Sequence, residues 1–197
     1  MRMDFELAAT VMLGVVACLS HGHVRAQTAE VPMHRVDDTG VLAAIGIVTI
    51  AASPDGVTLT PSLQGLPPGL HGFHIHENPS CEPALDPEKG KVTAAFAAGA
   101  HLDPGGTKRH RGPKGEGHLG DLPVLEVDGD GTATKAVLAP RLKITDLNGR
   151  ALMIHAGGDS YSDEPEKLGG AGERIACGVV RVVRTTRAKS RLLALSP

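Results

Sequence analysis

The sequence predicts an all-β fold, an antiparallel sandwich or barrel. Short apolar and β-branched stretches recur at regular intervals between turn signals, without a convincing amphipathic helix. The 197 residues include 25 glycines and 14 prolines, a turn-rich composition that suits short strands better than long helices. With three phenylalanines, one tyrosine and no tryptophan, aliphatic side chains must build most of the core. The length fits a single domain with a sizeable core.

Seven apolar stretches are predicted to form strands. Turn signals separate the first two stretches at residues 53–56, and the fourth and fifth at residues 128–131. The predicted strands cover residues 41–50, 57–63, 70–76, 122–127, 132–138, 151–155 and 178–183.

Two long segments, residues 77–121 and 156–176, interrupt this strand pattern. Both are rich in glycine and proline and lack periodicity. Segments of this length in a compact domain are usually either functional loops or disordered. Because the first of them holds three of the eight histidines that follow the leader, we interpret them as functional loops.

The N-terminal segment, residues 1–26, is interpreted as a secretory signal peptide. Its apolar run over residues 7–19 is too short to span a bilayer comfortably, and small residues before Gln27 offer a cleavage site. A second interpretation is a bacterial lipobox ending at Cys18, which would then carry a lipid anchor. Both interpretations predict export, so soluble and lipid-anchored forms stay open.

The remaining chain divides into a folded domain, residues 27–184, and a basic tail, residues 185–197. Residues 27–180 contain 13 basic and 20 acidic side chains, whereas the residues after 177 contain five basic and no acidic ones. A body of negative charge binds nucleic acid poorly, so no nucleic-acid partner is predicted. Any anion that this body handles needs a local positive patch.

The cysteines indicate one disulfide bond. Cys18 lies in the leader, so Cys81 and Cys177 remain as the only pair in the folded domain. An exported protein meets an oxidising compartment, where such a pair can form a disulfide. It would close a loop of nearly one hundred residues, which the chain-entropy model values at roughly 4–5 kcal/mol. The alternative is two buried free thiols.

Seven metal-binding side chains lie at strand ends or in the first long loop. His74 and His76 flank one residue and therefore share a face of the predicted strand. No cysteine is left as a ligand, which excludes a thiolate zinc site or an iron–sulfur cluster. The seven side chains are His74, His76, His101, His110, His118, Asp121 and His155.

Seven donors are too many for one four-coordinate ion, so they predict two ions. Three histidines with Asp121 suit a closed tetrahedral zinc site, and the remaining imidazoles suit Cu(II). Because only six rings serve both sites, one imidazole must bind both ions through its two nitrogens.

The chain resembles the bacterial copper/zinc superoxide dismutases over residues 31–180. Five motifs in order carry the resemblance, namely GFHIHE, GAHLDP, GHLGDLP, the ALMIHAGGD histidine segment and GAGERIACGVV. The resemblance implies an eight-stranded antiparallel Greek-key barrel, an immunoglobulin-like sandwich with two long functional loops.

The resemblance also implies a role for each candidate residue. Asp159 would link one copper histidine and one zinc histidine by hydrogen bonds, and Arg174 would lie at the mouth of the copper channel. Cys81 and Cys177 match the family disulfide, and His71 matches a structural position. His34 is also interpreted as structural. The implied copper ligands are His74, His76, His101 and His155, and the implied zinc ligands are His101, His110, His118 and Asp121.

The implied activity is disproportionation of superoxide to dioxygen and hydrogen peroxide at a redox-cycling copper, which the His101 imidazolate bridges to a structural zinc. His101 would carry a proton and Arg174 would attract the anionic substrate. Lys108, Arg109, Arg111 and Lys114 either assist that attraction or form a solvated face.

The resemblance further implies the periplasm or cell envelope of a bacterium, and leaves a homodimer open. Two alternatives compete with the enzyme: a non-catalytic copper/zinc-binding or copper-delivery domain of the same fold, and a zinc hydrolase. The hydrolase would need an open coordination position and a nearby general base.

Overall fold

The computed structural model describes residues 27–184, which form twelve β-strands and three short 3-10 helices. The leader 1–26 and the tail 185–197 lie outside the described residues. The strands are β1 Gln27–Asp37, β2 Gly40–Ser53, β3 Gly56–Leu63, β4 Gly69–His71, β5 Phe73–His76, β6 Ala84–Asp86, β7 Lys91–Thr93, β8 Leu125–Val127, β9 Val137–Ala139, β10 Arg150–His155, β11 Arg174–Val180 and β12 Val182–Arg184. The 3-10 helices are Phe96–Ala98, Ile144–Asp146 and Lys167–Gly170. Within the described part of the chain, no helix is long and apolar enough to cross a membrane.

An eight-stranded antiparallel sheet forms most of the fold. Its order is β5-β10-β11-β1-β2-β3-β9, and β12 pairs with β1 beyond β11. At one edge of the sheet, β5 follows directly after β4, and β4 pairs with β8. Ala133, in the chain that follows β8, forms a β-bridge with Leu63 at the end of β3. These short contacts connect the two edges and curl the sheet. The predicted all-β antiparallel class with two long loops is confirmed.

Alternating side chains of the strands build the main core. In β3, every second residue from Val57 to Leu63 is buried while the residues between them are more exposed, which is the period of two expected for a strand with one wet face. Phe73 and Ile75 of β5 join the same core from the other edge. Burying each such side chain stabilises the fold by about 1.5–3 kcal/mol.

The first strand is the main element that the sequence prediction missed. Its side chains do alternate, with Ala29, Val31 and Met33 buried, but Pro32 and polar residues between them hide the pattern. Proline normally argues against a central strand because it cannot donate a hydrogen bond. Pro32 is tolerated here because it lies between the two stretches of β1 that pair with β11 and β12.

Several predicted boundaries were also wrong. The predicted strands 122–127 and 132–138 begin later, at Leu125 and Val137. The predicted strand 70–76 is divided between β4 and β5, and the predicted strand 178–183 is divided between β11, which begins at Arg174, and β12. The loop 77–121 contains a small hairpin formed by β6 and β7. Most of its side chains are not buried, so its sequence lacks the apolar alternation that predicts a core-facing strand.

The predicted disulfide between Cys81 and Cys177 is confirmed. The two Cα atoms are 5.7 Å apart, and the bond joins the first long loop to β11 across 96 positions of sequence. Both cysteines belong to a second, smaller core cluster with Val36, Ala95 and Met153 among its members. The covalent link therefore holds the loop 77–121 against the barrel from outside the main core.

Removing this bond should lower the stability of the metal-free protein. We expect the double variant C81A/C177A to lose about 2–5 kcal/mol of unfolding free energy, because the unfolded chain is released from a long closed loop. Urea denaturation followed by circular dichroism measures the change. Chemical reduction of the parent protein should give a matching loss. Equal stability of the variant and the oxidised parent would contradict the role given to the disulfide.

Candidate metal centre

Strand β5 places two imidazoles on one face. Phe73 and Ile75 point into the main core, so His74 and His76 point to the opposite face. All four side chains are buried, because the two long loops cover the outer face of β5. The outer face of β5 therefore lies in a buried pocket lined with imidazole rings.

Main-chain hydrogen bonds attach the loop 77–121 to this strand. The Ile75 N–H donates to the carbonyl of Gly120 (2.9 Å), and the Ile75 carbonyl accepts the N–H of Leu102 (2.8 Å). A Cβ on residue 120 would lie 2.3 Å from the Ile75 carbonyl oxygen, so only glycine allows this approach.

The same attachment brings the loop donors to the strand donors. Isolated β-bridges pair His74 with Asp121 and His76 with His101. On the other side, β10 runs beside β5 and ends at His155. Residues separated by up to 81 positions of sequence therefore meet at one place. The spacing of the motifs alone could not have shown this.

The structure brings all seven sequence-predicted donors together in two groups. In each group, one potential ligand atom per residue lies within 4.8 Å of every other, and all of these residues are buried. His101 belongs to both groups. The first group is His74, His76, His101 and His155, and the second is His101, His110, His118 and Asp121.

The first group fits a cation that accepts nitrogen lone pairs. Four buried ring nitrogens have no hydrogen-bond partner, one from each member of the group: His74 Nδ1, His76 Nε2, His101 Nε2 and His155 Nε2. A buried polar atom without a partner costs roughly 1–3 kcal/mol, so four lone pairs at one place fit a bound cation that all four nitrogens could share. An all-imidazole set suits copper.

The opposite ring nitrogens of the first group are held by the protein. His76 Nδ1 lies 2.9 Å from the Gly99 carbonyl oxygen, and His155 Nδ1 lies 3.0 Å from that of Gly172. Each carbonyl accepts an N–H from its ring, which leaves the other nitrogen with its lone pair directed into the group.

The second group surrounds the carboxylate of Asp121. Its oxygens lie 3.1 Å from His101 Nδ1, 3.1 Å from His110 Nδ1 and 3.3 Å from His118 Nδ1. The last two nitrogens make no hydrogen bond despite this proximity. Three imidazoles and one carboxylate arranged in this way fit a tetrahedral zinc ion.

Burial and charge set the protonation of the site. Burial lowers the pKa of His76 and His155 well below the usual value, and lowers the pKa of His101 to about 3. These rings are therefore neutral at neutral pH, with lone pairs available for a metal.

In the second group, neighbouring carboxylates favour positive charge on the imidazole rings. Burial alone would lower the pKa of His110, but the carboxylates of Asp121 and Asp159 outweigh it and raise that pKa to about 9. Burial opposes ionisation of Asp121 as well, yet the three neighbouring imidazoles hold the pKa of its carboxyl well below the usual range. Positive charge is thus favoured here, whether from a proton or a metal ion.

Asp159 joins the two groups. Its Oδ2 accepts a hydrogen bond from His74 Nε2 (2.8 Å), and its Oδ1 accepts one from His110 Nε2 (2.7 Å). Asp159, His74 and His110 also lie close enough together to hold a metal ion. However, the Nε2 atoms of both rings are already hydrogen-bonded to the carboxylate. The two hydrogen bonds hold one ring of each group in a fixed orientation.

Arg174 lies beside the first group at the start of β11. Its guanidinium donates to the carbonyls of Ala95 (2.6 Å) and Gly99 (2.7 Å), the second of which also accepts from His76. Burial lowers the pKa of Arg174 to about 10, which still leaves it charged at neutral pH. A fixed positive charge therefore adjoins the imidazole group.

An open cavity of about 440 Å³ leads to His155. Lys89 and Lys167 line it, from the first and second long loops respectively. The four cations singled out in the sequence, Lys108, Arg109, Arg111 and Lys114, are exposed and do not line this cavity.

His71 and His34 join neither donor group. The two ring nitrogens of His71 lie 2.7 Å and 2.8 Å from the carbonyl oxygens of His155 and Pro67. His34 is half-buried on β1, opposite Cys177.

Sequence reasoning missed Arg141, which supports the second group from a distant loop. Its guanidinium donates to the carbonyls of Gly117 (2.7 Å) and His118 (3.2 Å). Because backbone carbonyls accept these bonds, no side-chain pattern in the sequence could have identified the contact.

Comparisons with known proteins place this site in a family. The sequence model described as copper/zinc superoxide dismutase (SODC) matches residues 44–180. Superoxide dismutase [Cu-Zn] 2 of Salmonella typhimurium is 52% identical over 170 residues, covering 86% of this chain and 97% of that protein.

Solved structures agree with the sequence comparison. The Cu/Zn superoxide dismutase from Brucella abortus superposes with a TM-score of 0.75 at 48% identity, covering 77% of this chain and 98% of that one. The monomeric copper, zinc superoxide dismutase from Salmonella enterica gives a TM-score of 0.70 at 54% identity, covering 78% and 99% of the two chains.

Replacing Asp159 by asparagine should weaken metal binding. An amide replaces one carboxylate oxygen by an NH2 group, which donates and cannot accept, so either His74 or His110 faces a donor and that ring loses its orientation. We expect zinc affinity to fall about 10–100-fold, measured by competition with a chelator. The exposed turn variant Asp55→Asn is the matched control and should bind zinc as the parent does. Unchanged zinc affinity in D159N would contradict the linking role.

Proposed function

This chain belongs to the copper/zinc superoxide dismutase family, and on that premise we propose how its residues divide the work of the reaction. The protein is an oxidoreductase that converts two superoxide anions and two protons into dioxygen and hydrogen peroxide, with copper and zinc as cofactors. One observation carries the division of roles: His101 belongs to both donor groups, with a different ring nitrogen toward each.

The two groups would hold the two metals. Copper, when bound, supplies one-electron exchange with superoxide, whereas zinc has no redox chemistry. The proposed copper ligands are His74, His76, His101 and His155, and the proposed zinc ligands are His101, His110, His118 and Asp121.

His101 is the proposed carrier of a proton. Its Nδ1 lies against the Asp121 carboxylate, and its Nε2 is buried without a protein partner on the side of the all-imidazole group. Nε2 can therefore hold a proton between the two half-reactions and release it to the reduced oxygen species, while Asp121 keeps the ring in place.

Arg174 is the proposed anion-binding residue. Superoxide approaches a body in which acidic side chains outnumber basic ones, so average repulsion must be overcome locally. Two carbonyls fix the Arg174 guanidinium next to His76. The cavity that leads to His155 is lined by two lysines, Lys89 and Lys167, and by two glutamates, Glu166 and Glu173, so its lining has no net charge. The Arg174 guanidinium would therefore supply the positive charge that draws the substrate toward the all-imidazole group.

The proposed location and assembly rest on the sequence. We propose that residues 1–26 direct export to the periplasm or cell envelope of a bacterium, and that residues 27–184 form the catalytic domain. Lipidation at Cys18 is the alternative to a soluble mature form. The Salmonella enterica relative is monomeric, which supports a monomer over a homodimer.

Superoxide decay measured with defined metal content tests the function. The protein loaded with copper and zinc should accelerate the decay in stopped-flow or pulse-radiolysis measurements, and the protein loaded with zinc alone should not. A copper- and zinc-loaded protein that leaves the decay unchanged would favour a non-catalytic metal-binding domain instead.

Replacing Arg174 by alanine should slow substrate capture without emptying the site. We expect the second-order rate to fall about 10-fold or more at low ionic strength, and its dependence on salt to become shallower. Metal content per chain should remain that of the parent. Arg111→Ala removes an exposed cation that does not line the cavity, and serves as the matched control. An unchanged rate in R174A at low ionic strength would contradict the role of the guanidinium.

A further inference from the structure

Tyr161, the single tyrosine of the chain, contacts three separate parts of the second donor group's surroundings. It lies two residues after Asp159 in the loop that follows β10. Its φ angle is +56°, in the left-handed region that non-glycine residues rarely adopt. This conformation is strained for a residue with a Cβ, so its contacts must stabilise it.

The first contact is made by the backbone. The Tyr161 N–H donates to Asp159 Oδ1 (2.7 Å), the same oxygen that accepts from His110 Nε2. The left-handed conformation of Tyr161 therefore helps to fix the carboxylate that links His74 to His110.

The second contact is made by the ring. A Cβ added to Gly112 would lie 2.6 Å from Tyr161 Cγ, so the ring packs directly on this glycine. The Gly112 N–H in turn donates to Asp121 Oδ2 (3.2 Å). The ring thus presses on the peptide that orients the only carboxylate of the proposed zinc site.

The third contact is made by the hydroxyl group. The Tyr161 hydroxyl oxygen accepts the N–H of Val124 (2.9 Å), three residues after Asp121. Tyr161 therefore touches the chain on both sides of the second donor group, and both acidic residues, Asp121 and Asp159, depend on groups that it holds.

We propose that Tyr161 is a positioning residue that couples the loop 156–173 to zinc binding. The inference rests on the zinc site of the proposed function and goes beyond it, because Tyr161 contributes no ligand. Its contacts involve Asp121, Asp159 and their neighbours, and it reaches the first donor group only indirectly, through the hydrogen bond between Asp159 and His74. Loss of the side chain should therefore release zinc much more than copper.

Fluorescence of the unaltered protein provides the first test. With one tyrosine and no tryptophan, protein emission reports this contact directly. Binding energy is reciprocal, so zinc that depends on Tyr161 must also order Tyr161. Acrylamide should quench the fluorescence of Tyr161 more strongly after zinc is removed from the zinc-loaded, copper-free protein. Identical quenching with and without zinc would overturn the coupling.

Variants provide the second test. We expect Tyr161→Ala to accelerate zinc loss to excess chelator about 10–100-fold, with little change in copper loss. Tyr161→Phe keeps the ring but removes the hydroxyl acceptor, so it should restore most of the zinc retention. Leu168→Ala is the matched control, since Leu168 lies in the same loop with a left-handed φ of +55° and an exposed side chain.

A spectroscopic measurement separates positioning from general stability. Cobalt(II) bound in place of zinc should show altered visible bands in Y161A and nearly parental bands in Y161F. Parental zinc loss in Y161A, or equal acceleration of copper and zinc loss, would overturn the inference. If Y161A fails to fold, Y161F and the quenching of the parent still decide. If the parent protein binds no zinc, the proposed zinc site is overturned as well. If the parent binds zinc but Y161A loses it no faster, only the role of Tyr161 is overturned.

Discussion

The whole arrangement depends on one buried ring that must face two donor groups at once. His101 lies in a long loop, whereas the histidines around its Nε2 come from β5 and β10. The loop is fixed by main-chain pairing with β5, by the close approach that Gly120 allows, and by the disulfide to β11. The barrel thus acts as a rigid support on which irregular segments are held at defined positions.

Desolvation has opposite consequences on the two sides of that ring. Around Nε2, burial outweighs the one carboxylate in contact, Asp159 on His74, so it keeps the rings neutral and leaves one nitrogen of each without a partner, at a cost to the metal-free fold. Around Nδ1, Asp121 and Asp159 add negative charge that favours a cation. One pocket can therefore discriminate between a redox ion held by imidazoles and a structural ion held partly by a carboxylate, because the charges of the two environments differ.

The sequence predicted the donors better than the scaffold that holds them. Histidine, aspartate and cysteine are rare enough in combination that their types and order identify two sites, and the structure brings all seven donors together. Strand β1 was missed because Pro32 and polar neighbours interrupt its apolar alternation. Arg141 and Tyr161 were missed for a different reason, since both act on backbone groups, which every residue possesses and no sequence pattern marks.

Anomalous diffraction from crystals of the protein loaded with copper and zinc, recorded at both absorption edges, tests the shared ring most directly. We expect two distinct peaks on opposite sides of the His101 imidazole, copper about 2 Å from Nε2 and zinc about 2 Å from Nδ1. A single peak, or two peaks of which neither adjoins the ring, would show that His101 is not shared.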